Sequence, residues 1–191
     1  MSTAGVFCLE GEWDRKSLES RLSVRPLLEL LEMLKVSSGT IHRDVATRSE
    51  LEHYLNRWTE DTESSYTVAY LAFHGTPGGV ALATEDVTLA ELAAYLGRGA
   101  KGRTLFVGSC ATLDAPESEL REFCRATGVR GLVGYINEVD WAESAAFDIL
   151  VLSELLQSTN LKPMVARLQA DHPGFVDGLG LRVATAAWVL P

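Results

Sequence analysis

The apolar residues of the chain fall into short blocks that alternate between continuous runs and helical spacing. "GVFCLEGEW" (5–13) carries Val6, Phe7, Cys8 and Leu9 in succession and predicts a strand. "PLLELLEMLKV" (26–36) repeats its leucines at helical intervals behind Pro26, a residue suited to a first helical turn. "TIHRDVA" (40–46) is half polar, as a strand near a sheet edge would be. "TRSELEHYLNRW" (47–58) starts with Thr47 and Glu50 at capping-box spacing and predicts a second helix. "YTVAYLAFHG" (66–75) is apolar almost throughout, the pattern of a central strand covered on both faces.

The same alternation continues. Gly78, Gly79 and the polar "TED" turn predict a small hairpin, after which Thr88 and Glu91 cap the helix "LAELAAYLGRG". "TLFVGSC" (104–110) is another buried strand. "APESELREFCRATG" (115–128) is a helix with Pro116 near its start and Gly128 at its end. "VRGLVGYINEVDW" (129–141) is a strand and loop, and Asp140 with Glu143 caps the apolar helix "AESAAFDILVLSELLQ". A helix "PMVARLQADH" and a closing strand "LRVATAAWVL" complete the chain. This order predicts an α/β fold, a mostly parallel six-stranded sheet between helices on both faces, in a single domain spanning 1–191.

Composition narrows the function. A net charge of -9, with no dense basic run, argues against nucleic acid as a partner. Cys8, Cys110 and Cys124 show neither CxxC nor metal-ligand spacing, so a reducing compartment is expected and no disulfide framework. The N-terminus lacks the basic and apolar regions of a signal peptide, and no apolar run reaches the length of about 18 residues that a membrane span needs. A cytoplasmic protein without membrane contact is expected. His42, His53 and His172 have no partners at ligand spacing and read as structural or surface residues, so neither a metal nor another cofactor is expected. The chain has no P-loop, no dinucleotide fingerprint and no GxSxG elbow.

In a parallel sheet, sites form beyond the carboxyl ends of the strands. The two most apolar strands end in "FHG" and "GSC", which would bring His74 and Cys110 to one edge. A thiol needs a base to act as a nucleophile near neutral pH, and an imidazole supplies it. The N–H groups of Gly75 and Cys110 could form an oxyanion hole. Taken singly, Cys110 reads as a small packed hydrophobe and His74 as a hydrogen-bonded core or rim residue; their joint placement favours a dyad.

"AYLAFHG", followed 36 residues after its histidine by the cysteine of "TLFVGSC", resembles the histidine-glycine and cysteine blocks of the caspase-like cysteine peptidases, the bacterial CHAT proteins among them. The resemblance implies a caspase-like three-layer sandwich, with Cys110 as nucleophile, His74 as general acid/base, and the Gly75 and Cys110 amides as oxyanion hole. It implies an endopeptidase acting on a protein or peptide substrate and controlled by a regulatory partner or signal. Two features depart from the family. No Gln-Ala-Cys-x-Gly surrounds the cysteine, and Gly108 stands where metacaspases commonly carry an aspartate. Ser109, Glu138, Asp140 and Trp141 are candidate substrate contacts. Ser109 could equally pack, Glu138 could be merely solvated, and capping is the stronger reading for Asp140. Two other readings stay open: a non-catalytic caspase-like interaction module, and a non-peptidase hydrolase or acyltransferase using the same pair.

Overall fold

Side chains cap the starts of four of the seven α-helices among the described residues. In the computed structural model, which describes residues 4–14, 17, 19 and 22–190, the chain runs β1 (Val6–Glu10), α1 (Arg25–Met33), β2 (Thr40–Asp44) and α2 (Arg48–Trp58). Met1–Thr3, the head of the N-terminal stretch discussed above, lie outside the described residues. Next come β3 (Val68–Ala72), β4 (His74–Thr76), β5 (Gly79–Ala81), β6 (Asp86–Thr88) and α3 (Leu89–Leu96). The rest is β7 (Thr104–Val107), α4 (Glu117–Thr127), β8 (Gly131–Tyr135), α5 (Trp141–Gln157), α6 (Leu161–Asp171), α7 (Pro173–Leu179), β9 (Leu181–Ala184) and β10 (Val189–Leu190). Thr47 and Glu50 form the expected capping box on α2, and Thr88 and Glu91 form one on α3. Gly128 closes α4 in the left-handed conformation that glycine adopts without steric cost.

Seven strands, not six, build the main sheet, in the order β10-β9-β8-β7-β3-β1-β2. Strands β8, β7, β3, β1 and β2 run parallel, while β9 and β10 are antiparallel additions at one edge. The closing segment read as one strand is a hairpin. Thr185 makes the turn, its N–H and hydroxyl donating to the Trp188 carbonyl. Helix α7 is a further addition: the chain turns at His172 and Pro173 begins a new helix. β2 lies at the opposite edge, as its polar half requires.

Every residue of β1, β3, β7 and β8 is buried, because helices cover both faces of the sheet. Alternate side chains feed two cores. Phe7, Leu9 and Leu71 pack with α2, α3 and α4; Val6, Tyr70 and Phe106 pack with α1, α5, α6 and α7. These are the three layers expected. Among the described residues no helix is long and apolar enough to cross a membrane.

One boundary differs in a way that matters for function. The segment 66–75 is not one strand: β3 stops at Ala72, and His74 opens a separate three-stranded antiparallel sheet, β4-β5-β6. Phe73 leaves the ladder because its N–H donates to the buried hydroxyl of Ser109 at 3.3 Å.

Candidate active site

Four loops meet beyond the carboxyl ends of the parallel strands, where the chain order reverses around β1 and β3. The loop after β1 brings Trp13, that after β3 brings His74, that after β7 brings Cys110, and that after β8 brings Val139 and Trp141. All five line one cavity of about 200 Å³. β3 and β7 are parallel neighbours in register Leu71 to Val107, so the two segments leave the sheet side by side.

The loop carrying Cys110 is tied at several points. The Ala111 N–H donates to the Asn137 carbonyl at 2.9 Å, and the Thr112 hydroxyl to the Gly79 carbonyl at 2.9 Å. Ala111 itself has φ of 51°, a left-handed conformation that costs a residue with a side chain about 1–2 kcal/mol. Such strain is typical of functional turns, where surrounding bonds hold it. The Cys110 sulfur accepts the Val139 N–H at 3.4 Å. The Cys110 N–H has no hydrogen-bond acceptor among the described residues.

Gly75 explains why a glycine must follow the histidine. A β-carbon there would lie 1.8 Å from the Cys110 carbonyl oxygen and 2.6 Å from its nitrogen. The backbones of the two motifs are in contact, and only hydrogen fits between them.

His74 is oriented from the loop after β1. Its Nε2 lies 2.9 Å from the Trp13 carbonyl, which can only accept, so Nε2 bears the proton and Nδ1 is left with its lone pair. The Trp13 ring packs edge-on against His74 at 5.5 Å and against Trp141 at 4.5 Å between centroids. Trp13 is fixed in turn by Glu10, the last residue of β1. The buried Glu10 carboxylate accepts the Trp13 indole N–H at 2.5 Å, the Val24 N–H and Ser23 hydroxyl at 2.7 Å each, and His42 Nε2 at 2.6 Å. Burial pushes the Glu10 carboxyl up, but the bonds from His42, Trp13, Ser23 and Val24 outweigh it and hold it below its ordinary value.

Glu10, His42 and Asp44 offer three ligand-type atoms within 4.8 Å of one another. The four donors already fill the acceptor sites of Glu10, and His42 Nδ1 meets the Arg25 guanidinium at 3.1 Å. This arrangement leaves Glu10 no lone pair for a metal. His42 is a structural residue, but a fully partnered one.

Glu10→Gln should therefore cost stability, on the order of 1–3 kcal/mol, by turning one accepting oxygen into a donor that faces donors. In the native protein the Glu10 contribution is present above the unfolded value of 4.5 and is lost as pH falls through the lower native value. Urea unfolding of both proteins at pH 7 measures the cost; equal midpoints would remove Glu10 as the anchor of Trp13.

The other expected contacts divide. Trp141 lines the cavity. Ser109 also lines it; it is 1% exposed and its hydroxyl accepts the Phe73 N–H, which ties β3 to the Cys110 loop. Asp140 caps α5, its Oδ1 accepting the N–H groups of Ala142 at 2.8 Å and Glu143 at 3.2 Å, and it is not among the residues lining the cavity. Glu138 is exposed and is not among the residues lining the cavity.

Trp13, Val139 and Asp148 were not singled out from the sequence, yet all three line the cavity. The signal for Asp148 was a lone carboxylate in the apolar run "AAFDILVL". Asp148 is 3% exposed and accepts the hydroxyls of Tyr70 and Tyr135 at 2.5 Å each. Desolvation raises its carboxyl from 3.8 to about 6 despite both bonds. Gly108 leaves room for this group: a β-carbon there would stand 2.6 Å from the Tyr70 ring and 2.9 Å from Asp148 Oδ2.

No curated protein matches the chain. A family model described as a family of unknown function, DUF6642, matches residues 3–184, which contain β1 through β9 and every residue that lines the cavity. The chain belongs to the DUF6642 family.

Proposed function

We propose that this protein is a caspase-like cysteine endopeptidase with Cys110 as nucleophile and His74 as general acid/base. The observation that carries the reading is the contact between the Gly75 backbone and the Cys110 peptide, where a β-carbon would stand 1.8 Å from an oxygen. A histidine and a cysteine from the segments that follow two neighbouring parallel strands line one cavity there, at the sheet edge where such folds place their sites.

In this reading His74 Nδ1 takes the thiol proton and the sulfur attacks a peptide carbonyl carbon. A C–S bond forms and the carbonyl π pair moves onto oxygen. The unpartnered Cys110 N–H and the Gly75 N–H stabilise that oxyanion. The C–N bond then breaks, and the amine leaves with the proton held on His74. In the second half His74 takes a proton from water, whose oxygen attacks the acyl carbon. The C–S bond breaks, the acid departs, and the sulfur regains its proton. The Trp13 carbonyl keeps the Nε2 proton in place throughout, so that Nδ1 does the transfer.

A peptide-library cleavage assay on wild type and Cys110→Ala tests the reading. Cleavage should fall about 10⁶-fold in the variant, the scale seen when a nucleophile is removed. Activity surviving the substitution rules out Cys110. Intact-mass measurement of iodoacetamide labelling supplies the second arm: His74→Ala should slow alkylation of Cys110 and leave the buried Cys8 and Cys124 unlabelled.

A further inference from the structure

Asp148 takes no part in the chemistry above, yet it lines the cavity that holds Cys110 and His74. It reaches in from α5, and its Oδ2 lies against the backbone of Gly108, two residues before the nucleophile. Its partners are two tyrosine hydroxyls, which use about two of the four acceptor sites of a carboxylate. No cation is among the groups that act on it, and burial alone holds its carboxyl up at about 6. A buried carboxylate without a counter-charge is costly, and the two tyrosine bonds leave this one with acceptor capacity on the cavity wall.

The walls fit the same chemistry. Trp13 and Trp141 stand edge to face at the cavity, and aromatic faces attract guanidinium and ammonium groups. A volume of about 200 Å³ lies below the range of about 300–1,000 Å³ usual for whole small-molecule ligands, and suits one side chain. The overall charge of -9 favours the approach of basic segments. A neutral apolar side chain would fill the space but leave Asp148 buried and unpaired. An acidic one would set two like charges together.

We infer that this cavity receives a lysine or arginine side chain, with the Asp148 carboxylate as its counter-charge. As a statement about cleavage specificity this rests on the peptidase reading; as a statement about binding it does not.

The test uses a matched pair, n-butylguanidinium and n-butylurea, titrated into the full chain by calorimetry. The cation should bind at least tenfold more tightly than the urea, and Asp148→Asn should remove the difference. Should that variant fail to fold, Ala145→Lys carries the test. It places an ammonium one turn before Asp148 on the same helix, at a residue that also lines the cavity, and should abolish guanidinium binding. Equal affinity for the two probes, binding of neither, or undiminished binding to a folded variant overturns the inference. A second arm separates the two readings: chloromethyl ketone peptides ending in arginine or leucine, with mass-spectrometric detection of modified Cys110. Equal labelling by both probes keeps the nucleophile and sinks the cation pocket. Guanidinium binding without labelling by either keeps the pocket and sinks the peptidase.

Discussion

Gly75→Ala is expected to reduce Cys110 chemistry by about 100-fold or more and to lower the unfolding midpoint as well. The added carbon cannot be accommodated by rotating a side chain, because the atoms it would meet belong to the Cys110 peptide, at 1.8 Å, 2.6 Å and 2.7 Å. One of the two backbone segments must move. Overpacking of this kind costs about 1–3 kcal/mol, and a shift of roughly 1 Å in a reacting group costs on the order of 100-fold in rate. The Cys110 loop has little freedom to absorb the move, since Ala111 is already left-handed and tied to Asn137. Gly78 is the control. It has φ of 73° with nothing within 4 Å of a built β-carbon, so Gly78→Ala should show only the backbone cost of about 1–2 kcal/mol. Alkylation rate of Cys110 and thermal midpoint, measured on both variants, decide the matter. A Gly75→Ala protein with wild-type values for both would refute the backbone contact.

Asp148 gives the second large effect, in stability. Its carboxyl is raised from 3.8 to about 6, so between those values the native state holds a proton that the unfolded chain has lost. The neutral acid therefore favours the native state below about pH 4, and that advantage disappears as pH rises through about 6. A shift of this size corresponds to about 3 kcal/mol. Asp148→Asn removes the titration and keeps the volume. Measured by urea unfolding across pH 4 to 7, wild type should gain up to about 3 kcal/mol on the variant as pH falls. Comparison with the variant cancels the titration of the remaining carboxylates. Parallel stability curves would show that burial does not perturb this group. Above pH 6 the carboxylate is ionised, the state in which it would pair with a cation.

The burial cost of Asp148 also bears on how the site is built. Tyr70 comes from β3, Tyr135 from β8 and Asp148 from α5. Their hydroxyl-carboxylate bonds lock the layer beneath the Cys110 loop, and Gly108 is small because this cluster fills the space a side chain would occupy.

Local chemistry was legible in the sequence wherever it acts over a few residues. Thr47 with Glu50, and Thr88 with Glu91, cap their helices because both partners lie within one turn. The unbroken apolar runs of β3 and β7 marked covered central strands, and their endings marked His74 and Cys110. Even the glycine after the histidine could be noticed, though not its reason. Boundaries failed where a distant atom competed with the local pattern: β3 ends early because Phe73 bonds to Ser109, 36 residues away.

Strand order, and everything that depends on it, was decided by tertiary structure. Periodicity states which face of a strand is buried, but not which strand lies beside it. Only the order β8-β7-β3-β1 brings Trp13 to His74, Val139 to Cys110, and Asp148 to Tyr70 across 78 residues of chain. The carboxylate in "AAFDILVL" stands alone in an apolar run, but that pattern by itself assigned it no role. Its meaning required the cavity, because a charge is judged by what surrounds it, and its surroundings come from elements remote in sequence.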